Sequence, residues 1–176
     1  MHEWVQSPAL RVHMEAVAAS IGAYAQTLDA ANEERWRIAG LLHDFDYEKH
    51  PMAQQHPMVG VAHLRTLGVD DEILNAILGH ASDRTGVVRE TPMAKVLFAV
   101  DELSGFIVAC AKVRPNGIAD LEAKSVRKKL KDKAFAAAVS REDIAQGVLE
   151  LGPLTALDET AHIQVCIDAI RAAELA

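Results

Sequence analysis

Apolar residues in this chain recur every three or four positions, and nowhere do they alternate with polar ones for the length a half-buried strand requires. That periodicity restricts the fold to packed helices. Behind Ser7-Pro8, an N-cap with proline at the first helical position, Leu10, Met14, Val17, Ile21, Tyr24 and Leu28 mark a long amphipathic helix. A second helix is expected from near Asn32, where Glu33 and Glu34 complement its N-terminus, to around Phe45, with Trp36, Ala39, Gly40 and His43 along one face. Asp46 to Pro57, with two prolines, reads as an ordered loop. A third helix runs from about Pro57 to Leu67 and is ended by Gly68; a fourth, capped by Asp70 or Asp71, lines up Ile73, Ala76, Ile77 and His80.

After a loop containing Gly86, Thr91-Pro92 opens a long apolar helix that reaches Val113 before the Pro115-Asn116-Gly117 turn. Then come a basic helix near Leu121 to Lys133, a helix behind the capping-box-like Ser140-Arg141-Glu142-Asp143, and a last one after Thr155. With no GxGxxG, no GxxxxGK[ST] and no repeat, the sequence predicts an all-α fold of six to eight helices.

At 176 residues, half of them hydrophobic, the chain fills one sizeable core, so residues 1–176 are expected to form a single domain. The formal charge of −7 provides no general positive field for a phosphate backbone or an anionic membrane, which argues against a nucleic-acid or membrane partner. Met1-His2-Glu3-Trp4 carries no targeting signal, and the expected location is cytoplasmic. Cys110 and Cys166 fall inside helices without CxxC spacing, as reduced packed thiols do. The apolar stretch from Val96 to Val113 contains Asp101, Glu102 and Lys112, and so reads as a core helix buried on every side rather than a membrane span.

Polar groups on these inward faces carry the chemistry. In Leu41-Leu42-His43-Asp44 an imidazole and a carboxylate stand together at the end of an apolar helix, where burial without a partner is costly. Such side chains are good ligands for a divalent ion. His13 lies among Leu10, Met14 and Val17, His80 holds the same kind of position on the fourth helix, and Asp101 sits on the most apolar helix of all. A buried carboxylate must be paired, hydrogen-bonded or coordinated. Singly, each histidine has an ordinary reading as a satisfied core residue, and Asp101 as a helix cap. Four separate helices each bringing a metal-type side chain inward point instead to one shared cation.

The order His13, His43-Asp44, Asp101 resembles the HD superfamily of metal-dependent phosphohydrolases, a helical-bundle fold. His56-Pro57 with Gly60 looks like the HPxxG element of two-metal members, and His80 falls where their next histidine lies. The resemblance covers about residues 8 to 115 and continues more loosely through Phe135, with helices from 119 to 176 expected to pack on that core. It implies metal ligation by His13, His43, Asp44 and Asp101, with Asp44 bridging and His56 and His80 completing a second site. It also implies a catalytic role for His43-Asp44 in the hydrolysis of a phosphoester or phosphoanhydride of a small metabolite or nucleotide. One or two divalent ions would be the cofactor, drawn from Fe, Mn, Co, Ni, Zn or Mg, among which mixed imidazole and carboxylate ligation does not choose. Where many members have a glycine two residues past the pair, this chain has Asp46. His80 is followed by Ala81-Ser82, which does not support cyclic-dinucleotide phosphodiesterase activity.

A phosphorylated substrate calls for cations beyond the metal. Arg114, at the end of the Asp101 helix, is the best single candidate because a guanidinium contacts phosphate bidentately. Lys49, Arg84, and Lys124 with Lys128 in the basic run Lys124 to Lys133 are the others, although charge runs are commonly just solvated helix faces. His2, His50, His63 and His162 are set outside the site, His162 as a surface or packing residue, and His63 although it stands seven residues past His56 on the third helix. Two other readings of the chain are a di-iron oxygenase on the same scaffold and a non-catalytic ligand-binding module.

Overall fold

The computed structural model describes residues 3–175, so His2 lies outside the described residues. Among these residues there is no strand, and nine α-helices follow one another: α1 Pro8–Leu28, α2 Glu33–Leu42, α3 Met58–Thr66, α4 Asp71–His80, α5 Ser82–Thr85, α6 Pro92–Lys112, α7 Ala123–Leu130, α8 Arg141–Thr155 and α9 Glu159–Ala172. The excess over six to eight comes from α5, a single four-residue turn of helix too short to leave a periodic signature. The expected caps at Ser7, Asp70, Thr91 and Ser140 operate, and Asp158 caps the last helix; each accepts a backbone N–H of the first turn with a side-chain oxygen.

The basic helix is shorter than its charge pattern suggests, ending at Leu130. Residues 132–139 form a run of turns whose carbonyls bond to the Arg141 guanidinium, at 2.6 Å from Ala136, 2.7 Å from Val139 and 3.3 Å from Asp132, with a further contact to Phe135. One cation thus satisfies backbone groups that a helix would otherwise pair.

Helix α6 is the axis of the molecule, packing against α1, α4, α8 and α9, while α1 also packs on α2 and α9. Their side chains merge into one hydrophobic cluster that includes Met14, Trp36, Leu97, Phe106 and Ile107, joined by Ile144, Leu151, Ile163 and Ile167 from the last two helices. Where α1 crosses α6, the buried Ser20 and Ser104 hydroxyls satisfy each other at 3.0 Å. No helix among the described residues is long and apolar enough to cross a membrane. The α6 surface is not buried on every side: Asp101, Glu102 and Gly105 form a partly open stripe, which turns toward the cavity described below.

His162 belongs to this core, being 1% exposed. Its Nε2–H donates to the Ala99 carbonyl at 3.1 Å and its Nδ1 lies 2.6 Å from the Tyr24 hydroxyl, so the ring is held neutral as a packing residue. Burial lowers its pKa from 6.5 to about 4. The depressed value makes the contribution to stability complete above pH 6.5 and lost as pH falls toward 4, a difference of about 3 kcal/mol. The unfolding free energy of the His162→Gln protein should therefore fall less than that of the wild type between those two pH values, as measured by urea titration.

The α6–α8 contact depends on Gly147, where an added Cβ would stand 2.6 Å from Ala99 Cα. Gly147→Ala is expected to cost about 1–3 kcal/mol through overpacking. Its urea midpoint, compared with that of the wild type, checks this.

Candidate metal centre

Helix ends deliver most of the site. His13 projects from the second turn of α1; His43 is the C-cap of α2, and Asp44 opens the consecutive turns that follow it. His56 lies just ahead of α3, His80 is the last residue of α4, and Asp101 sits midway along α6. Ends of short helices suit this duty, because the chain there leaves the helical path and adjacent side chains can converge.

Two sets of donor atoms meet at Asp44. In the first, His13 Nε2 is 3.2 Å from His43 Nε2 and 3.1 Å from Asp101 Oδ1, and His43 Nε2 is 3.3 Å from the same oxygen. Asp44 Oδ2 lies 3.6 Å from each of these two imidazole nitrogens. In the second, His56 Nε2 and His80 Nε2 are 3.2 Å apart, and Asp44 Oδ1 stands 3.2 Å from the former and 3.6 Å from the latter. One carboxylate gives one oxygen to each set.

The donor spacing is that of ligands around an ion. Atoms held about 2.1 Å from a common centre lie about 3.0 to 3.4 Å from one another in tetrahedral or octahedral arrangements. The far side of the rings reinforces the point. His43 Nδ1 faces the Gly40 carbonyl at 2.7 Å, His80 Nδ1 the Ile77 carbonyl at 2.5 Å, and His56 Nδ1 the Asp46 carboxylate at 2.7 Å. Each Nδ1 carries the proton, which leaves the Nε2 lone pair directed at the centre. Lone pairs from His56 and His80 then face each other and a carboxylate oxygen, an arrangement that requires a positive charge between them.

Titration of the same groups expresses this demand. Burial opposes a charge on His43, yet the Asp44 and Asp101 carboxylates outweigh it and raise the pKa to about 9. His56 is likewise pushed up to about 9 against its burial, by hydrogen bonds to Asp44 and Asp46. Asp44 and Asp101, which burial alone would raise, are drawn well below the usual carboxylate range by the histidines. Glu102, beside them, is pushed up to about 7 by burial and by the Asp101 charge.

The donors open onto a cavity of about 380 Å³, whose other walls include Tyr47, Arg84, Phe98, Glu102, Val139 and Asp143. A larger groove of about 630 Å³, between α1, α2 and Leu175, contains none of the donor residues. Of the cations considered for substrate, Arg84 alone lines the donor cavity. Arg114 is held away by Asp120 at 2.8 Å, Lys49 sits over the Trp4 ring at 4.6 Å, and Lys124 and Lys128 point outward from α7. His63 packs on Trp4, with ring centroids 4.8 Å apart, and His50 also borders that indole.

Asp46 carries more than its sequence position suggests. Fully buried, it accepts His56 Nδ1–H on Oδ1 and the Gly60 N–H on Oδ2, the latter at 2.7 Å, and thereby ties the histidine to the start of α3. The same closeness explains Gly60, where a Cβ would lie 2.7 Å from both the Asp46 carboxyl carbon and the Phe45 ring. The signal available in the sequence was an acidic residue where the two-metal pattern has glycine. Tyr47, whose ring meets His56 edge-on at 5.2 Å, and the residue 138–143 wall gave no such signal.

The HD domain family model matches residues 11–105, more than half of the chain. The chain belongs to the HD domain family, a superfamily of metal-dependent phosphohydrolases. It is similar to ribonuclease Y 2 of Levilactobacillus brevis, at 35% identity over 95 residues, or 53% of this chain and 17% of that protein. The chain therefore spans under a fifth of the length of this relative. No solved structure matches it.

Replacing Asp46 with asparagine leaves one acceptor for two buried donors. Asp46→Asn is expected to destabilise the metal-free protein by about 1–3 kcal/mol, read from its urea midpoint.

Proposed function

We propose that this chain hydrolyses a phosphoester or phosphoanhydride of a small substrate at a two-metal centre, with His13, His43, Asp44 and Asp101 holding one ion and Asp44, His56 and His80 the other. The observation that carries the reading is the division of the Asp44 carboxylate, one oxygen in each donor set, with three of the four surrounding imidazoles, His43, His56 and His80, already engaged at their outer nitrogens. Divalent ions bound there supply an acidified water as nucleophile and neutralise charge on the phosphoryl oxygens. The ligand types suit Fe, Mn, Co, Ni, Zn or Mg and do not select among them.

The protein's own groups orient the reaction. Hydrogen bonds from the outer ring nitrogens to Gly40, Ile77 and Asp46 hold three imidazoles in one tautomer, so that their lone pairs are pre-aimed. Arg84, which lines the cavity beyond His80, would meet a phosphoryl oxygen.

Similarity to a ribonuclease brings an RNA phosphodiester into consideration as a second substrate. The chain's charge of −7 and the outward-facing α7 lysines favour a small molecule instead. The test combines metal analysis with a panel of phosphomonoesters, nucleotides and a short RNA, each assayed with Mn, Co, Ni, Mg and Zn. Two ions per chain and metal-dependent release of phosphate or nucleotide are expected. Asp44→Asn, which disturbs both donor sets, should lower turnover at least about 100-fold, a scale that even outer partners of metal ligands reach. Metal-loaded protein inert toward the whole panel would remove the hydrolase reading.

A further inference from the structure

Resting on the phosphohydrolase reading, we infer that the substrate carries a single phosphoryl group and that the rest of the molecule bears no negative charge. The basis is the cavity wall. Apart from the metal donors, its carboxylic-acid and basic residues are Asp83, Glu102 and Asp143 against Arg84 alone, and the Arg84 Nε already lies 3.6 Å from Asp83. Neither Lys49, Arg114, Lys124 nor Lys128 reaches it. One phosphoryl group has the donor centre and Arg84 to meet; a second anionic group has no further cation to receive it.

The acidic wall is held in place. Glu102 Oε2 accepts the Ser140 N–H at 3.1 Å, and the Ser140 hydroxyl caps α8 by accepting the Asp143 N–H at 3.1 Å, so both carboxylate residues are anchored at one serine. Arg141 gathers the carbonyls of the preceding turns and stacks over Phe106 at 4.8 Å, which positions Ala138 and Val139 on the same wall. Phe98 and Tyr47 add aromatic carbon, so that apart from Arg84 the space beyond the donors is lined by apolar and acidic side chains. A hydroxyl or ammonium group finds acceptors there, while a carboxylate or second phosphate meets like charge. Rejection by repulsion is a general route to specificity.

Three probes with the same phosphomonoester and different remainders test this: glycerol phosphate, neutral; phosphoethanolamine, cationic; and phosphoglycerate, anionic. Each is presented to the Mn-loaded protein at low salt, with phosphate release measured first and calorimetric Kd used for any probe not turned over. The neutral and cationic probes should exceed the anionic one by at least about tenfold. Asp143→Asn should narrow that gap to about threefold or less with metal content unchanged, whereas Glu142→Gln, exposed on the same turn, should leave it intact. Should Asp143→Asn fail to fold, Asp83→Asn, an exposed side chain whose loss frees Arg84, must narrow the gap in the same way. Equal or stronger handling of phosphoglycerate, or a gap unmoved by these variants, overturns the inference while leaving the hydrolase reading intact. If the metal-loaded protein neither binds nor cleaves any of the three, the inference falls, and the hydrolase reading is decided separately by the wider panel of nucleotides and RNA.

Discussion

Asp44 stands between four imidazole nitrogens, and the structure around it is an answer to the problem of burying that charge. A carboxylate removed from water is tolerated only with compensating charge and hydrogen bonding. Here compensation comes from His13, His43, His56 and His80, which arrive on four different stretches of chain and share Asp44 as their common neighbour. Histidine pKa values near 9 at positions 43 and 56 express the same need for positive charge in the centre. An ion would meet that need with less crowding than several protons, using lone pairs that the outer hydrogen bonds have already aligned.

The helical scaffold makes this convergence affordable in conformational terms. Helix α6 carries Asp101 rigidly, and α1 is laid against it along the buried Ser20–Ser104 contact, so His13 and Asp101 face each other across a fixed gap. The other donors come from places where a helix has just ended or is about to begin. At such places a side chain leaves the regular surface pattern and can be turned inward, while the local carbonyls of Gly40 and Ile77 remain free to accept from the ring. The region beyond residue 105, outside the stretch matched by the family, contributes the cavity's far wall through Val139 and Asp143.

His13, His43, Asp44, His80 and Asp101 were legible because each is a metal-type side chain on an otherwise apolar periodic face or at its end, a pattern local to one helix. His56 became legible only through its neighbours Pro57 and Gly60. Asp46 was visible as a departure but not as a partner, since its function depends on a ring ten residues away that a loop brings back. The cations were the least readable: Arg84 and Arg114 both follow a metal-type residue, and only the packing shows one lining the cavity and the other bound by Asp120.

Read alone, the sequence determined the helical class, the caps and the identity of the groups that must be sheltered, because periodicity and capping chemistry act over a few neighbouring residues. Tertiary structure alone decided which nitrogen pairs with which oxygen, that one carboxylate serves two donor sets, and that the cavity wall is acidic. Those outcomes are distances between residues far apart in the chain, set by how α1, α4 and α6 pack, and no local pattern encodes a distance of that kind.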